Sequence, residues 1–148
     1  MTALRIIIAS DHGGLKLKKK LVELMEKDGH TVEDIGTQSE AASDYPDFAH
    51  AVAKSILDPH QKMDRGILLC GTGVGMSIIA NRYPGVRAVL CSDTFTAKLS
   101  RSHNDANVLC MGERVVGSGL AWEIVSAWLA EPASMDERHT KRRAKIEI

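Results

Sequence analysis

The chain has 148 residues and a mass of 16.1 kDa, and 44% hydrophobic with 26% charged residues indicates a folded protein rather than a disordered segment. Its 19 Lys and Arg balance its 19 Asp and Glu, which argues against bulk attraction to nucleic acid or an anionic membrane. The three cysteines form neither a disulfide framework nor a zinc motif, and no apolar run reaches about 18 residues. We therefore expect a reduced, cytoplasmic protein with a single domain over residues 1–148 and no secretory signal.

Strand and helix signals alternate from the start of the chain. A β-branched strand is predicted at 6–9 and ends in the sequence Ser-Asp-His-Gly-Gly at 10–14. A helix follows from Leu15, with leucines on one side and lysines opposite, and Gly29 is a suitable C-terminal cap. An outer strand is expected across 32–35.

The middle of the chain holds a helix, a buried strand and a glycine-rich loop. After the polar loop 37–44, Pro46 suits the first turn of a helix. The continuous apolar run 66–70 is typical of a strand buried in a parallel sheet, and it leads into the glycines of 71–75. A further helix is predicted to extend to Asn81.

Two more strand–helix pairs complete the predicted fold. Strands at 86–91 and 108–111 are followed by helices at 93–101 and 120–129, and the basic segment 135–148 comes last. This alternation favours an α/β fold, a three-layer α/β/α arrangement with a five-stranded parallel sheet, Rossmann-like, with a C-terminal basic helix. Because ligands of such sheets bind beyond the carboxyl ends of the strands, the residues that follow each strand are the candidates for chemistry.

The glycine loop 71–75 can present several backbone N–H groups to an anion beside a helix N-terminus. A P-loop is excluded, because Met76 and Ser77 stand where Lys and Ser or Thr are required. A dinucleotide fingerprint lacks its third glycine at Met76, although Asp93 closes the next strand about where a ribose-binding acid would lie. A third interpretation joins the loop to Cys70, as an oxyanion hole beside a base or nucleophile.

Cys70 is the candidate nucleophile or base of this loop. It lies where a strand gives way to the loop, near a helix N-terminus, and such positions favour the reactive thiolate. The alternative is a buried, inert thiol like the leucines before it. Cys91 and Cys110 are followed by no glycine loop, so we expect them in the core.

Two polar clusters contain histidine, and each has two interpretations. Asp11 is either the N-cap of the next helix or a ligand for a sugar hydroxyl, and His12 is either a loop residue or a ligand for phosphate or hydroxyl. The triplet His103-Asn104-Asp105 is either a solvated turn or a group that moves a proton and orients a polyol.

Arginines in two places are suited to a phosphate. Arg114 follows the fifth predicted strand, in the region of the expected crevice. Arg138 and Arg142 are four residues apart and share a helix face, which is either a solvated surface or a bidentate phosphate clamp. Whether that face meets its own site or that of a neighbouring chain stays open.

Seven short motifs follow one another along the chain: Ser-Asp-His-Gly-Gly at 10–14, Asp-Tyr-Pro at 44–46, Cys-Gly-Thr-Gly-Val-Gly at 70–75, Ala-Asn at 80–81, His-Asn-Asp-Ala-Asn at 103–107, Gly-Glu-Arg-Val-Val-Gly at 112–117 and Arg-His-x-x-Arg at 138–142. Their order and spacing resemble the type B ribose-5-phosphate isomerase family, which also contains allose- and galactose-6-phosphate isomerases. The resemblance extends from Ile6 to about Lys145. It implies ring opening of a phosphorylated aldose, followed by proton transfer between adjacent carbons through an enediolate.

The resemblance also implies a role for each candidate. Cys70 takes the C2 proton and returns it to C1, while Thr72 and His103 open the ring. A related branch of the family uses a glutamate where this chain has Met76, and methionine cannot accept a proton. The enediolate oxygen is bound by backbone N–H groups of Gly71, Gly73, Val74 and Gly75. Hydroxyls and phosphate are bound by Asp11, Asn104, His12, Arg114, Arg138 and Arg142, and Tyr45 lines the pocket.

Neither a metal nor an organic cofactor is expected. Relatives in the family form dimers whose sites borrow residues from the partner, so the resemblance implies a homodimer or tetramer with its active site at the subunit interface. The expected ligand is a small phosphorylated sugar, and neither nucleic acid nor membrane is an expected partner. Two alternatives stay open: an isomerase of allose 6-phosphate or galactose 6-phosphate, and a nucleotide-binding module built on the glycine loop and Asp93.

Overall fold

The computed structural model describes residues 2–148 and has a parallel sheet at its centre. The five strands are β1 (Arg5–Ser10), β2 (Thr31–Asp34), β3 (Arg65–Cys70), β4 (Ala88–Leu90) and β5 (Val108–Gly112). Every pairing is parallel, and the strand order is β2-β1-β3-β5-β4. The three central strands are buried along nearly their whole length, as their continuous apolar sequences predict.

Helices cover both faces of the sheet. They are α1 (Leu15–Lys27), α2 (Tyr45–Leu57), α3 (Val74–Ala80), α4 (Thr94–Ser102), α5 (Ser118–Ala130) and α6 (Glu137–Ala144). The first, fourth and fifth pack on one face, in a core that contains Trp128, and the second and third pack on the other face around Met76. The predicted α/β/α fold with five parallel strands is therefore confirmed. Within residues 2–148, none of the helices is long and apolar enough to cross a membrane.

Local signals explain most of the element boundaries. Gly29, just beyond α1, has a left-handed φ of 95°, and Pro46 lies in the first turn of α2. The predicted strand 86–91 is shorter in the structure. Val86 lies in the preceding turn and not in the strand, because its N–H donates to the Tyr83 carbonyl at 3.0 Å.

Lys18 departs from the predicted outer row of lysines on α1, since it is fully buried. It lies three residues before Leu21 and seven before Met25, and both of these side chains belong to the core. Helical spacing therefore places Lys18 on the apolar face. Its ammonium group is paired with Asp34 at 2.9 Å, as a buried charge requires.

The helix that follows β3 lies on the opposite face of the sheet from the helices that follow its two neighbouring strands. The helices that follow β1 and β5 pack on one face of the sheet, whereas α3, which follows β3, packs on the other. In open α/β sheets, crevices form where the helices after neighbouring strands lie on opposite faces, so we expect crevices beyond the carboxyl ends of the strands between β1 and β3 and between β3 and β5. Cys70, the last residue of β3, lies between these two crevices.

Candidate active site

The glycine loop closes around the sulfur of Cys70. This side chain is 6% exposed, and its Sγ accepts a hydrogen bond from the Gly73 N–H at 3.0 Å. Gly73 has a φ of 82°, and a Cβ there would lie 2.8 Å from the carbonyl carbon of Met111, so the position admits only glycine. Thr72 is exposed, and its Oγ1 accepts from the Val74 N–H at 3.3 Å. The thiol, the hydroxyl and the N-terminus of α3 are thus held together.

Arg114 lies across the same loop. Its backbone N–H donates to the Gly71 carbonyl at 3.1 Å, and its Nη1 would be 3.3 Å from a Cβ on Gly71. The preceding Glu113 N–H donates to the Cys70 carbonyl at 2.9 Å. A guanidinium group beside the backbone N–H groups of a helix N-terminus is an arrangement suited to an anion.

Asp11 and His12 come from the end of β1. The Asp11 Oδ1 accepts from the Gly13 N–H at 2.9 Å, so this carboxylate does cap the short 3-10 turn His12–Gly14. His12 and Ser43 form a reciprocal pair: the His12 N–H donates to the Ser43 Oγ, and the Ser43 N–H donates to the His12 Nδ1, both at 3.2 Å. Since Nδ1 is an acceptor, a neutral His12 ring carries its proton on Nε2.

Tyr45, the first residue of α2, covers the start of α3. A Cβ on Gly75 would overlap Cε2 of the Tyr45 ring, so the ring rests directly on this glycine. The tyrosine is 40% exposed. We call the residues gathered here the carboxyl-edge cluster: Asp11, His12, Tyr45, Cys70, Thr72, Arg114 and the loop Gly71–Gly75.

His103 lies at the opposite edge of the sheet, where α4 ends and before β5 begins. Its ring stacks on His139 of α6, with centroids 4.3 Å apart and 26° between the planes. His139 Nδ1 is also within 2.9 Å of the Ser134 Oγ. Burial and the positive charges of His103 and Arg138 lower the pKa of His139 below its usual 6.5.

The helix α6 is docked beside His103 by Arg143. The Arg143 guanidinium donates to the Ser134 carbonyl at 2.7 Å and to the His103 carbonyl at 3.4 Å. Arg138 and Arg142 of the same helix are exposed, as is Asn104. We call this second group, His103, Asn104, Arg138, His139 and Arg142, the amino-edge cluster.

Asp105 fixes the turn that carries His103 and Asn104. It has a left-handed φ of 49° and accepts from the buried Arg101 at 2.7 Å and from Arg87 at 3.3 Å. In the sequence, Asp105 is distinguished only as part of a polar triplet. The structure gives it a role in holding the backbone of its two neighbours.

A single chain does not bring the two clusters together. Gly112 pairs with Cys70 at one end of β5, and His103 precedes the other end. A strand of five residues at about 3.3 Å per residue separates the two edges by roughly 16 Å. Thr72 and His103, which the family resemblance pairs in ring opening, therefore lie at opposite edges of the sheet within one chain.

The geometry around Asp93 disfavours the dinucleotide interpretation. The Asp93 carboxylate caps α4 by accepting from the Thr96 N–H at 2.7 Å, which lowers the pKa of this carboxyl group. Moreover, β5 separates β4 from β3, so Asp93 does not end the strand next to the glycine loop. A ribose-binding acid in a dinucleotide fold belongs at the end of the strand that follows the loop, beside it in the sheet.

Ser43 bonds to His12 in two places but is not among the residues predicted for the site. The only signal in the sequence is its position directly before the Asp-Tyr-Pro motif at 44–46.

Cys91 and Cys110 are buried in the core as predicted, and burial raises the pKa of the Cys91 thiol to about 12.

Comparison with known proteins identifies the family of this chain. A family model described as Ribose/Galactose Isomerase matches residues 6–146. The chain is 49% identical over 125 residues to ribose-5-phosphate isomerase B of Escherichia coli K12, a match that covers 84% of this chain and 83% of that protein. It is 42% identical over 127 residues to D-erythrulose-4-phosphate isomerase of Pectobacterium atrosepticum, covering 85% and 82%.

Among solved structures, a ribose 5-phosphate isomerase from Thermotoga maritima superposes with a TM-score of 0.92 at 48% identity, covering 99% of both chains. The chain therefore belongs to the ribose/galactose isomerase family, a family of sugar phosphate isomerases. The resemblance found in the seven motifs is confirmed at the level of the family.

Proposed function

We propose that this protein interconverts D-ribose 5-phosphate and D-ribulose 5-phosphate through an enediolate, a step of the pentose phosphate pathway. The observation that carries the proposal is the sulfur of Cys70, held by the Gly73 N–H at the carboxyl end of β3. The name of the Escherichia coli relative, at 49% identity, supports the choice of substrate.

In this mechanism, the Cys70 thiolate removes the proton from C2 of the open-chain sugar and returns it to C1. A positioned acid or base contributes about 10²–10⁴-fold to such a step. Met76 supports this assignment, because it is fully buried in the core and has no group that accepts a proton. No other cysteine lies at the end of β3.

Backbone N–H groups of the glycine loop stabilise the charge that develops on the enediolate oxygen. The N–H groups of Gly73 and Val74 already bond to Cys70 and Thr72, so we assign them first to fixing these two side chains. The Gly71 and Gly75 N–H groups then bind the oxygen. Each well-placed donor lowers the barrier by about 2.7–4 kcal/mol.

The complete site in this proposal forms between two copies of the chain. The carboxyl-edge cluster of one protomer meets the amino-edge cluster of its partner, in a homodimer or a tetramer. Thr72 and His103 then open the ring, Asp11 and Asn104 hold hydroxyls, and Tyr45 lines the pocket. The phosphate is bound by His12, Arg114, Arg138 and Arg142.

Exposed apolar side chains support such an interface. Val74 and Ile78 lie one turn apart on α3 and are 45% and 59% exposed. Leu90 is 41% exposed and Phe95 is 71% exposed, and both lie near the same edge of the sheet. An apolar patch beside an incomplete polar site is suited to a second copy that completes the site.

A cytoplasmic location fits the three free cysteines, since thiols stay reduced in that compartment. The proposal includes neither a metal nor an organic cofactor, because the proton transfer needs only a base and donors for the oxygen.

The test is a ribose-5-phosphate isomerase assay on the wild type and on Cys70→Ala, with Cys91→Ala as a matched removal of a buried thiol. We expect Cys70→Ala to lose at least about 10²-fold in turnover with its circular dichroism unchanged. Cys91→Ala should keep near-wild-type turnover. A folded Cys70→Ala variant with near-wild-type turnover would remove Cys70 from the role of base.

The length of the sugar needs a separate measurement, because one relative at 42% identity is named for a four-carbon substrate. The values of kcat/KM for ribose 5-phosphate, erythrulose 4-phosphate, allose 6-phosphate and galactose 6-phosphate should be compared. We expect the five-carbon substrate to have the highest value. A higher kcat/KM for another of these sugars would show that ribose 5-phosphate is not the preferred substrate, although the protein would still be an isomerase.

A further inference from the structure

Lys18 of α1 is a lysine with no exposed surface. Its Nζ donates to the Thr37 carbonyl and forms an ion pair with Asp34 Oδ1 at 2.9 Å, and Asp34 is itself 22% exposed. Lysine is almost never fully buried unless it is paired. A buried ion pair is weak evidence for stability, because the loss of hydration offsets the attraction between the charges. Stability alone therefore does not account for this pair.

The Lys18–Asp34 pair fixes the turn that follows β2. Asp34 also accepts from the Gly36 N–H at 3.0 Å and from Gln38 Nε2 at 2.9 Å. On its other side the turn touches β1, since the Thr37 N–H donates to the Ser10 carbonyl at 3.0 Å. The turn is thus clamped between α1 and the end of β1, at the carboxyl edge of the sheet.

From this clamp, two local hydrogen bonds fix the first half of the loop that leads to His12. The Ser39 N–H donates to Thr37 Oγ1 at 3.2 Å, and the Ala41 N–H donates to the Ser39 Oγ at 3.1 Å. Two residues further on, Ser43 makes its reciprocal pair with His12. The loop is therefore fixed at its start by Lys18 and at its end by the histidine.

We propose that Lys18 is a positioning residue, which fixes the loop 37–44 so that the Ser43 N–H stays on Nδ1 of His12. This contact keeps the proton of a neutral His12 on Nε2, the nitrogen that is left to donate to an anion. The proposal rests on the proposed function for the role of His12 as a phosphate ligand. Lys18 itself touches no substrate.

Loss of the clamp weakens phosphate binding equally in the ground state and the transition state. Such a loss raises KM and leaves kcat unchanged. The variant Lys18→Met keeps the length of the side chain and removes its charge, and the partly exposed Asp34 stays in contact with water and with the Gly36 N–H. Lys19→Met, on the exposed side of the same helix, is the matched control.

Two measurements test the proposal. Side-chain ¹H–¹⁵N NMR reads the tautomer of His12, whose signals are identified from their loss in His12→Gln. Steady-state kinetics with ribose 5-phosphate separates KM from kcat. In Lys18→Met we expect a mixture of His12 tautomers, a KM about five- to tenfold higher, and a kcat within about twofold of wild type. Lys19→Met should match the wild type in both.

A folded Lys18→Met variant with wild-type His12 signals, or with an unchanged KM, overturns the proposal. If this variant fails to fold, Lys18→Met/Asp34→Asn decides the same question, because removing both charges of a buried pair is often neutral for stability. If the wild type does not isomerise ribose 5-phosphate, the proposed function fails, and the NMR measurement alone then decides the role of Lys18.

Discussion

The rings of His103 and His139 stack with centroids 4.3 Å apart, and they come from two different elements, the end of α4 and the helix α6. The stack joins the two parts of the amino-edge cluster. It also places two titratable rings face to face beside Arg138 and Arg142 of α6. Burial and these positive charges lower the pKa of His139.

The lowered pKa makes folding stability depend on pH. The folded state holds a proton on His139 more weakly than the unfolded state, whose pKa is about 6.5, so the unfolded state binds more protons as the pH falls. The free energy of unfolding should therefore decrease as the pH falls below about 6.5. Urea unfolding at pH 7.5 and 5.0 should show a larger decrease for the wild type than for His139→Gln. Equal decreases in the two proteins would contradict this account.

Mixing two inactive variants tests whether the site is shared between protomers. Cys70→Ala removes the proposed base from the carboxyl-edge cluster, and His103→Gln removes the proposed ring-opening group from the amino-edge cluster. In a mixed dimer, one site carries both defects and the other carries neither. Random reassortment makes half of the dimers mixed, so refolding the two variants together should restore about a quarter of wild-type activity, as closed two-fold symmetry requires.

The control for this experiment mixes Cys70→Ala with a second variant of the same cluster, Thr72→Val. Every mixed dimer then has a defect in each of its sites, so no activity should return. If mixed dimers of Cys70→Ala and His103→Gln form but activity does not return, the hypothesis that two protomers share the site is wrong.

Gly75 should be sensitive to a single methyl group because the Tyr45 ring rests on it. In Gly75→Ala the half-exposed ring has room to swing into solvent, so stability should change by less than about 1 kcal/mol, the scale of the helix propensity that alanine adds. Because the proposed substrate pocket then loses the Tyr45 ring from its wall, we expect KM to rise severalfold. Gly119→Ala, where a Cβ would meet no atom within 4 Å, is the control.

A double-mutant cycle isolates the contact between Tyr45 and Gly75. Once Tyr45→Ala has removed the ring, Gly75→Ala should have no further effect on KM, because the two changes act through one contact. Additive effects on KM would show that Gly75 acts through something other than the ring.

Two glycines with left-handed φ values separate backbone strain from crowding. Gly29 has a φ of 95° with nothing near its Cβ position, whereas at Gly73 a Cβ would press on the backbone of Met111. Gly29→Ala should cost about 1–2 kcal/mol, which is the cost of the left-handed conformation alone. Gly73→Ala should cost about 2 kcal/mol more, because overpacking is added. Similar midpoints in urea unfolding for the two variants would mean that the glycine loop shifts to accommodate the added methyl group.

Much of the fold could be predicted from the sequence because each buried strand is a continuous apolar run, bounded by glycine or polar residues. The run before Cys70 and the glycines after it also located the carboxyl-edge cluster. The order of the strands could not be predicted. Nothing in the periodicity of 86–91 indicates that β5 lies between it and β3, and this position separates Asp93 from the glycine loop.

The supporting residues of the site were hidden for a different reason. Lys18 is one of several lysines in a row, and its burial depends on Asp34, sixteen positions later and on another element. Ser43 bonds to His12 once through its backbone N–H, which most residue types supply, and once through a hydroxyl of a kind common in polar loops. Contacts of this kind are carried by tertiary structure rather than by residue type, so a sequence pattern does not reveal them.

The length of β5 has a consequence for how such an enzyme is measured. A chain whose base and ring-opening histidine are a whole strand apart has, under the proposed function, no complete site when it is alone. Its specific activity then depends on protein concentration and falls on dilution as protomers separate, although each chain stays folded. Dilution in the assay would thus lower the specific activity by dissociating the protomers. A substrate that binds across the interface would stabilise the dimer and reduce this loss.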